Sequence, residues 1–291
     1  MPGGEHNIVA AGRGRPGDPP ILLSSGLGGA WFDWRPAMDM LSDRYRVIAF
    51  DRPGLGASPP GWTAPTLAGE AVRLAGLAER AVPRGGRAVV VAHSWAAFHA
   101  EALARTRPEL VAGLVFVDPS CESAARPRRH LSPVLAPLLR GVGVLAGASG
   151  AARLLGPWAH HMVMRRISGG VPAPPAAVRA VYGRGSVVGT ALVENATYGE
   201  MAGDLVALRR ARPFPEIPLT VLTALGGMRS AARRRAWVDC HRRLAWMSPY
   251  GRQVTVDGAG HLLQVDRPDA VAEAVADLIT KIKTIEIGSR P

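Results

Sequence analysis

Lysine is almost missing from this chain: of its thirty-five basic residues, only Lys281 and Lys283 are not arginine. The formal charge of +12 is therefore arginine charge, scattered through a sequence rich in alanine, glycine and proline. Its densest groups are Arg126, Arg128 and Arg129, then Arg209, Arg210 and Arg212, then Arg233 to Arg235. Aromatic residues are scarce too, at 5%. They do not interleave with the arginines as a single-strand-binding surface requires, so no nucleic-acid partner is expected. Cysteine is limited to Cys121 and Cys240, too few for a disulfide framework, and each reads as a small buried hydrophobe. Long hydrophobic runs are absent as well. The most apolar stretch, Val134 to Trp158, is interrupted by Pro137, Arg140, Arg153 and several glycines, which argues against a membrane span. The basic and apolar patches within 120–216 leave peripheral membrane association as a minor reading, and membrane contact is not expected. The first residues lack the basic-then-apolar pattern of a secretory leader, so the expected location is cytoplasmic.

Apolar residues make up 47% of the chain, enough for a sizeable core. Short apolar or β-branched runs recur at Pro20–Ser24, Arg46–Phe50, Ala88–Ala92, Leu114–Val117, Leu219–Thr223 and Gln253–Val256. Continuous apolar runs of this kind suit strands buried on both faces. His6 to Ala10 reads as an antiparallel edge strand. Helical spacing links Leu67, Ala71, Leu74 and Ala78, and again Val271, Val275, Leu278 and Ile282. Asp266 reads as the cap of that last helix, with Pro268 in its first turn. Alternating strands and helices predict an α/β fold, a mostly parallel sheet with helices on both faces. The stretch 120–216 breaks the alternation and offers no strand. It is too long for a plain loop, and predicts a helical cap inserted into a core formed by 1–119 and 217–291.

Chemistry concentrates at strand ends. In Val89-Val-Val-Ala-His-Ser-Trp-Ala-Ala a strand runs straight into a helix with Ser94 at the junction. Ala92 and Ala96 flank it at the two places where a sharp, strained turn tolerates only small side chains. A serine capping an ordinary helix is the plain alternative. Ser24-Ser-Gly-Leu-Gly-Gly also follows a strand and can aim backbone N–H groups at a developing oxyanion. Asp51-Arg-Pro-Gly-Leu-Gly-Ala-Ser reads as a structural turn in which Asp51 bonds backbone. His261, after Asp257-Gly-Ala-Gly, sits on a loop from which a base reaches a serine on another segment. Three other features read as structure. His160 and His161 are adjacent on a helix and diverge, so they make a poor metal pair; no metal and no cofactor are expected. His93 is expected to pack, pointing away from the base. Trp31 and Trp34 are expected in the core, with a pocket wall as the lesser alternative.

With these motifs in place, the sequence resembles the α/β-hydrolase superfamily over 20–119 and 217–283. The resemblance implies Ser94 as nucleophile, His261 as general base, and the N–H groups of Leu27 and Trp95 as the oxyanion hole. Two departures stand out. The family's usual histidine before the oxyanion glycine is Ser25 here. The usual acid after the strand at Leu219 is absent, since the first carboxylate beyond that strand is Asp239. Some relatives carry the acid after the preceding strand, where this chain has Asp118, and Ser94, Asp118, His261 keeps the family's order. Asp118 is therefore the expected acid, with Glu122 and Asp239 as alternatives. The implied activity is cofactor-free hydrolysis of an ester-like small-molecule acyl substrate. Carbon–carbon bond hydrolysis, acyl transfer, and ligand binding without turnover are the rivals.

Overall fold

The computed structural model describes residues 6–61, 63–122, 130–170 and 173–288. The Arg126, Arg128 and Arg129 group lies outside the described residues. Among the described residues seven strands form one sheet: β1 (Ile8–Ala11), β2 (Ile21–Ser24), β3 (Val47–Phe50), β4 (Ala88–His93), β5 (Val111–Val117), β6 (Leu219–Ala224) and β7 (Gly251–Val256). Their order across the sheet is β1-β3-β2-β4-β5-β6-β7. Only β1, the predicted edge strand, runs antiparallel to its neighbour.

Among the described residues ten α-helices accompany the strands, the last two following β7: α1 (Arg35–Ser42), α2 (Leu67–Ala81), α3 (Ala96–Thr106), α4 (Ser132–Ala148), α5 (Ala151–Ile167), α6 (Pro175–Tyr182), α7 (Gly185–Ala211), α8 (Ala231–Ala245), α9 (Leu263–Asp266) and α10 (Pro268–Gly288). The period-two alternation of the strands divides the core in two. Val90 and Ala92 join the cluster under α2 and α3, whereas Val89 and Val91 join the cluster under α1 and α10. Strands β2 to β6 are buried throughout, so their apolar runs are continuous rather than alternating. The edge strand β7 is only partly covered, unlike the fully buried strand its sequence predicts.

Between β5 and β6 stand four helices, α4 to α7, and no strand among the described residues. They touch the loops at the carboxyl ends of β2 and β3. Tyr182 Oη donates to the Gly28 carbonyl at 3.1 Å, and Arg184 Nη1 to the Gly56 carbonyl at 2.8 Å.

Two local expectations are corrected. Cys121 and Cys240 are not separate buried thiols but a disulfide, with Cα atoms 6.2 Å apart. Their separation of 119 positions along the chain hid the pairing from local reading. Asp266 does not cap α10. Its carboxylate instead accepts the N–H groups of Gly169, Gly170 and Gly260, tying α5's end to the loop that carries His261.

Candidate active site

Strand β4 delivers Ser94 and β5 delivers Asp118, and both residues pay for their placement with a left-handed backbone. Their φ angles are 55° and 40°, the only positive values at non-glycine residues described. Such a conformation costs a non-glycine residue of order ~1–3 kcal/mol, so the surroundings must hold it. They do: Ser94 N–H donates to the Val117 carbonyl at 3.1 Å, and Ser120 N–H donates to the Ser94 carbonyl at 3.1 Å. Ala92 and Ala96 are completely buried on either side, leaving no room for larger side chains.

From β7's end, the loop before α9 places His261 between the two. His261 Nδ1 lies 2.6 Å from Asp118 Oδ2, and Nε2 lies 2.9 Å from Ser94 Oγ. A carboxylate only accepts, so Nδ1 carries the proton and Nε2 is left to accept from the serine hydroxyl. The other oxygen of Asp118 accepts from the Trp237 indole Nε1 and from the Ala224 N–H, each at 3.0 Å. Asp118 is buried, while His261 remains about a third exposed. The two alternative acids stand elsewhere. Glu122 accepts from Tyr198 Oη, and Asp239 pairs with Arg242 on an exposed face of α8.

The loop after β2 passes beside Ser94. Gly26 passes so close to Ser94 that a Cβ there would lie 2.6 Å from His93 Nδ1 and 3.2 Å from the serine Cβ. Leu27 follows immediately, and neither its N–H nor that of Trp95 donates to any described residue. The loop is fixed by a pair that local reading missed. Arg52, in the turn read as purely structural, is buried and ion-paired to Glu194 of α7, with Nε to Oε1 at 2.7 Å. Its Nη1 and Nη2 donate to the carbonyls of Ser25 and Gly26, and Glu194 Oε2 accepts from Gly28 N–H at 2.8 Å. Asp51 behaves as expected, accepting from the N–H groups of Trp31 and Ala57 and from Asn7.

His93 departs from expectation. It does not turn away from the base: its Nε2–H donates to the His261 carbonyl at 2.8 Å, and the rings sit 4.8 Å apart. Burial, then the neighbouring His261, holds its pKa well below the ordinary value, so it stays a neutral donor. His241 likewise donates to the Pro119 carbonyl, steadying the turn after Asp118. Of the other candidates, Trp34 is fully buried in the core, and His160 is buried and stacked on Tyr182 at 4.1 Å. A cavity of about 640 Å³ opens beside Leu262, the neighbour of His261, walled by Phe32, Asp33, His160 and Met164.

The model of the alpha/beta hydrolase family matches residues 21–274. Among curated proteins, one named carbamate hydrolase RutD, from Klebsiella pneumoniae subsp. pneumoniae, is 34% identical over 110 residues, covering 35% of this chain and 38% of that protein. The dihydrolipoyllysine-residue acetyltransferase component of the acetoin cleaving system of Cupriavidus necator is 32% identical over 140 residues, 43% of this chain and 36% of that one. The match thus spans under half the length of these relatives. Among solved structures, the enol-lactonase of Burkholderia xenovorans LB400 superposes with a TM-score of 0.66 at 22% identity, covering 94% of this chain and 96% of that one. A thermophilic esterase from Thermogutta terrifontis gives 0.64 at 23% identity, covering 95% and 93%. At these identities the structural likeness is one of fold.

Proposed function

Because the chain belongs to the alpha/beta hydrolase family, we propose that it is a serine hydrolase acting on an ester-like acyl substrate through an acyl-enzyme. One observation carries this reading: the unbroken relay from Ser94 Oγ through His261 to Asp118, with spacings of 2.9 and 2.6 Å. In the proposed reaction His261 Nε2 takes the hydroxyl proton as Ser94 Oγ attacks the acyl carbon. Asp118 holds the ring in the tautomer that makes Nε2 basic and stabilises the imidazolium that forms. The free N–H groups of Leu27 and Trp95 receive the negative charge on the carbonyl oxygen, and the positive end of α3 adds to them. His261 then returns the proton to the departing alcohol. A water deprotonated by the same nitrogen attacks the ester on Ser94, releasing the carboxylic acid and restoring the hydroxyl. The helices α4 to α7 act as a cap in this reading. A serine, not an aspartate, at the elbow separates this chemistry from displacement at an alkyl carbon.

The test is a fluorophosphonate probe, which phosphonylates only an activated serine. Wild type is expected to be labelled and Ser94→Ala to stay blank. Equal labelling of the variant would contradict the assignment, and absence of labelling in both would favour a fold that binds without turnover.

A further inference from the structure

Helices α4 and α5 turn large apolar side chains to solvent. Of nineteen exposed large hydrophobic residues among those described, twelve lie between Leu131 and Val163. Single exposed leucines are ordinary, but a contiguous set of this size marks a docking surface. Its origin lies in the glycines on the opposite side of α4. Gly143 approaches α7 so closely that a Cβ would stand 2.4 Å from the Gly185 carbonyl oxygen. Small residues therefore face inward. Val134, Leu138, Val142 and Leu145, spaced by three and four, form an outward stripe. At Gly150, which has φ of 76°, the chain bends by 110° into α5, where Leu154 and Trp158 continue the apolar surface at 78% and 61% exposure.

Charge says what covers it. From residue 123 to residue 193 the sequence holds nine arginines and not one aspartate or glutamate. Exposed Arg153, Arg165 and Arg166 flank the apolar stripe on α5, and among the described residues none of the three has an ion-pair partner. We propose that the exposed face of α4 and α5 docks the protein on an anionic lipid bilayer, burying the apolar stripe at the headgroup–acyl boundary with the arginines on lipid phosphates. An apolar face, an interfacial tryptophan and cationic flanks are the combination that lies in a membrane surface. A second copy of the chain suits the surface less well, because a two-fold contact would bring the same uncompensated arginines together. No single described helix is long and apolar enough to cross a membrane, and α4 and α5, which reach that length and apolarity only together, meet at a 110° bend. The docking departs from the sequence expectation of no membrane contact, because only the fold reveals which side chains remain uncovered.

The experiment is co-sedimentation with vesicles of phosphatidylglycerol and phosphatidylcholine in equal parts, against vesicles of phosphatidylcholine alone. Wild type is expected to sediment with the mixed vesicles and more weakly with the neutral ones. Leu138→Glu combined with Leu154→Glu should weaken partitioning by ~10-fold or more, given the apolar area lost. Arg165→Glu should cost at least about fivefold, the contribution of one basic residue near an anionic surface. Trp246→Ser, which removes an exposed tryptophan outside the face, should bind like wild type. All four sites are solvent-facing, and unchanged thermal melting confirms that the variants fold. Wild type that stays in the supernatant with mixed vesicles would overturn the proposal. So would variants that bind as well as wild type, or a stable dimer that Leu138→Glu dissociates.

Discussion

Asp118 divides its carboxylate between two tasks. Oδ2 faces the imidazole, while Oδ1 is held by the Trp237 indole and the Ala224 N–H. An asparagine could keep the second task but would present the ring with an amide that favours the wrong tautomer. Asp118→Asn is therefore expected to fold normally and lose up to ~10⁴-fold in kcat against an activated ester, whereas Glu122→Gln and Asp239→Asn should leave turnover nearly unchanged. A large loss at Asp239 with little at Asp118 would move the acid. Ser94 and Asp118 could be nominated from the sequence because each directly follows an apolar strand, and His261 because it follows Gly-Ala-Gly on the loop between β7 and α9. Trp237 and His93 could not be. A tryptophan on a helix and a histidine inside a buried strand look like packing until the fold brings Asp118 and His261 beside them.

Helix α7 reaches across to the loop after β2 through one buried pair, Glu194 and Arg52, 142 residues apart. Each partner is 3% exposed, so removing one strands the other charge away from water. Glu194→Leu should destabilise the protein by about 3–5 kcal/mol, while the double substitution Arg52→Met, Glu194→Leu should recover much of that loss. Denaturant unfolding of the three variants decides it, and a double variant no better than the single one would mean the pair is not coupled. Nothing local in the sequence shows this brace. Arg52 stands in a turn whose glycines and aspartate explain themselves, and Glu194 stands in a helix with no distinguishing pattern. The inserted helices were legible as helices, because length and lack of strand pattern left little else. Which of their faces would stay uncovered was not, since α4 is apolar nearly all round and only the packing glycines decide.

Five histidines titrate in the molecule as a whole in the same direction. His6, His93, His99, His160 and His241 all have pKa values lowered from 6.5, chiefly by burial, with His6 and His160 brought to about 4. As pH falls below that value the unfolded chain takes up protons on these rings and the folded chain does not, so stability is lost. Buried Asp33, raised to about 7, and Glu70, also raised, act oppositely, because the folded state binds their protons more readily. The histidines outnumber them, and the melting temperature should drop between about pH 7.5 and about pH 5. A flat or rising profile would mean that these rings are more hydrated than their burial implies. The Cys121–Cys240 disulfide ties the segment after Asp118 to α8 and is of a kind that persists in oxidising surroundings, so the cytoplasmic expectation draws no support from it.

Acylation of Ser94 is the step on which the proposed reaction turns, and rapid quenching of a p-nitrophenyl ester reaction followed by intact-mass and peptide mass spectrometry measures it. The proposed reaction gives a burst of nitrophenol approaching one equivalent per chain, with the acyl mass on the peptide containing Ser94 and neither burst nor adduct in Ser94→Ala. Turnover by wild type without an acyl adduct, or an adduct on any other residue, would contradict it.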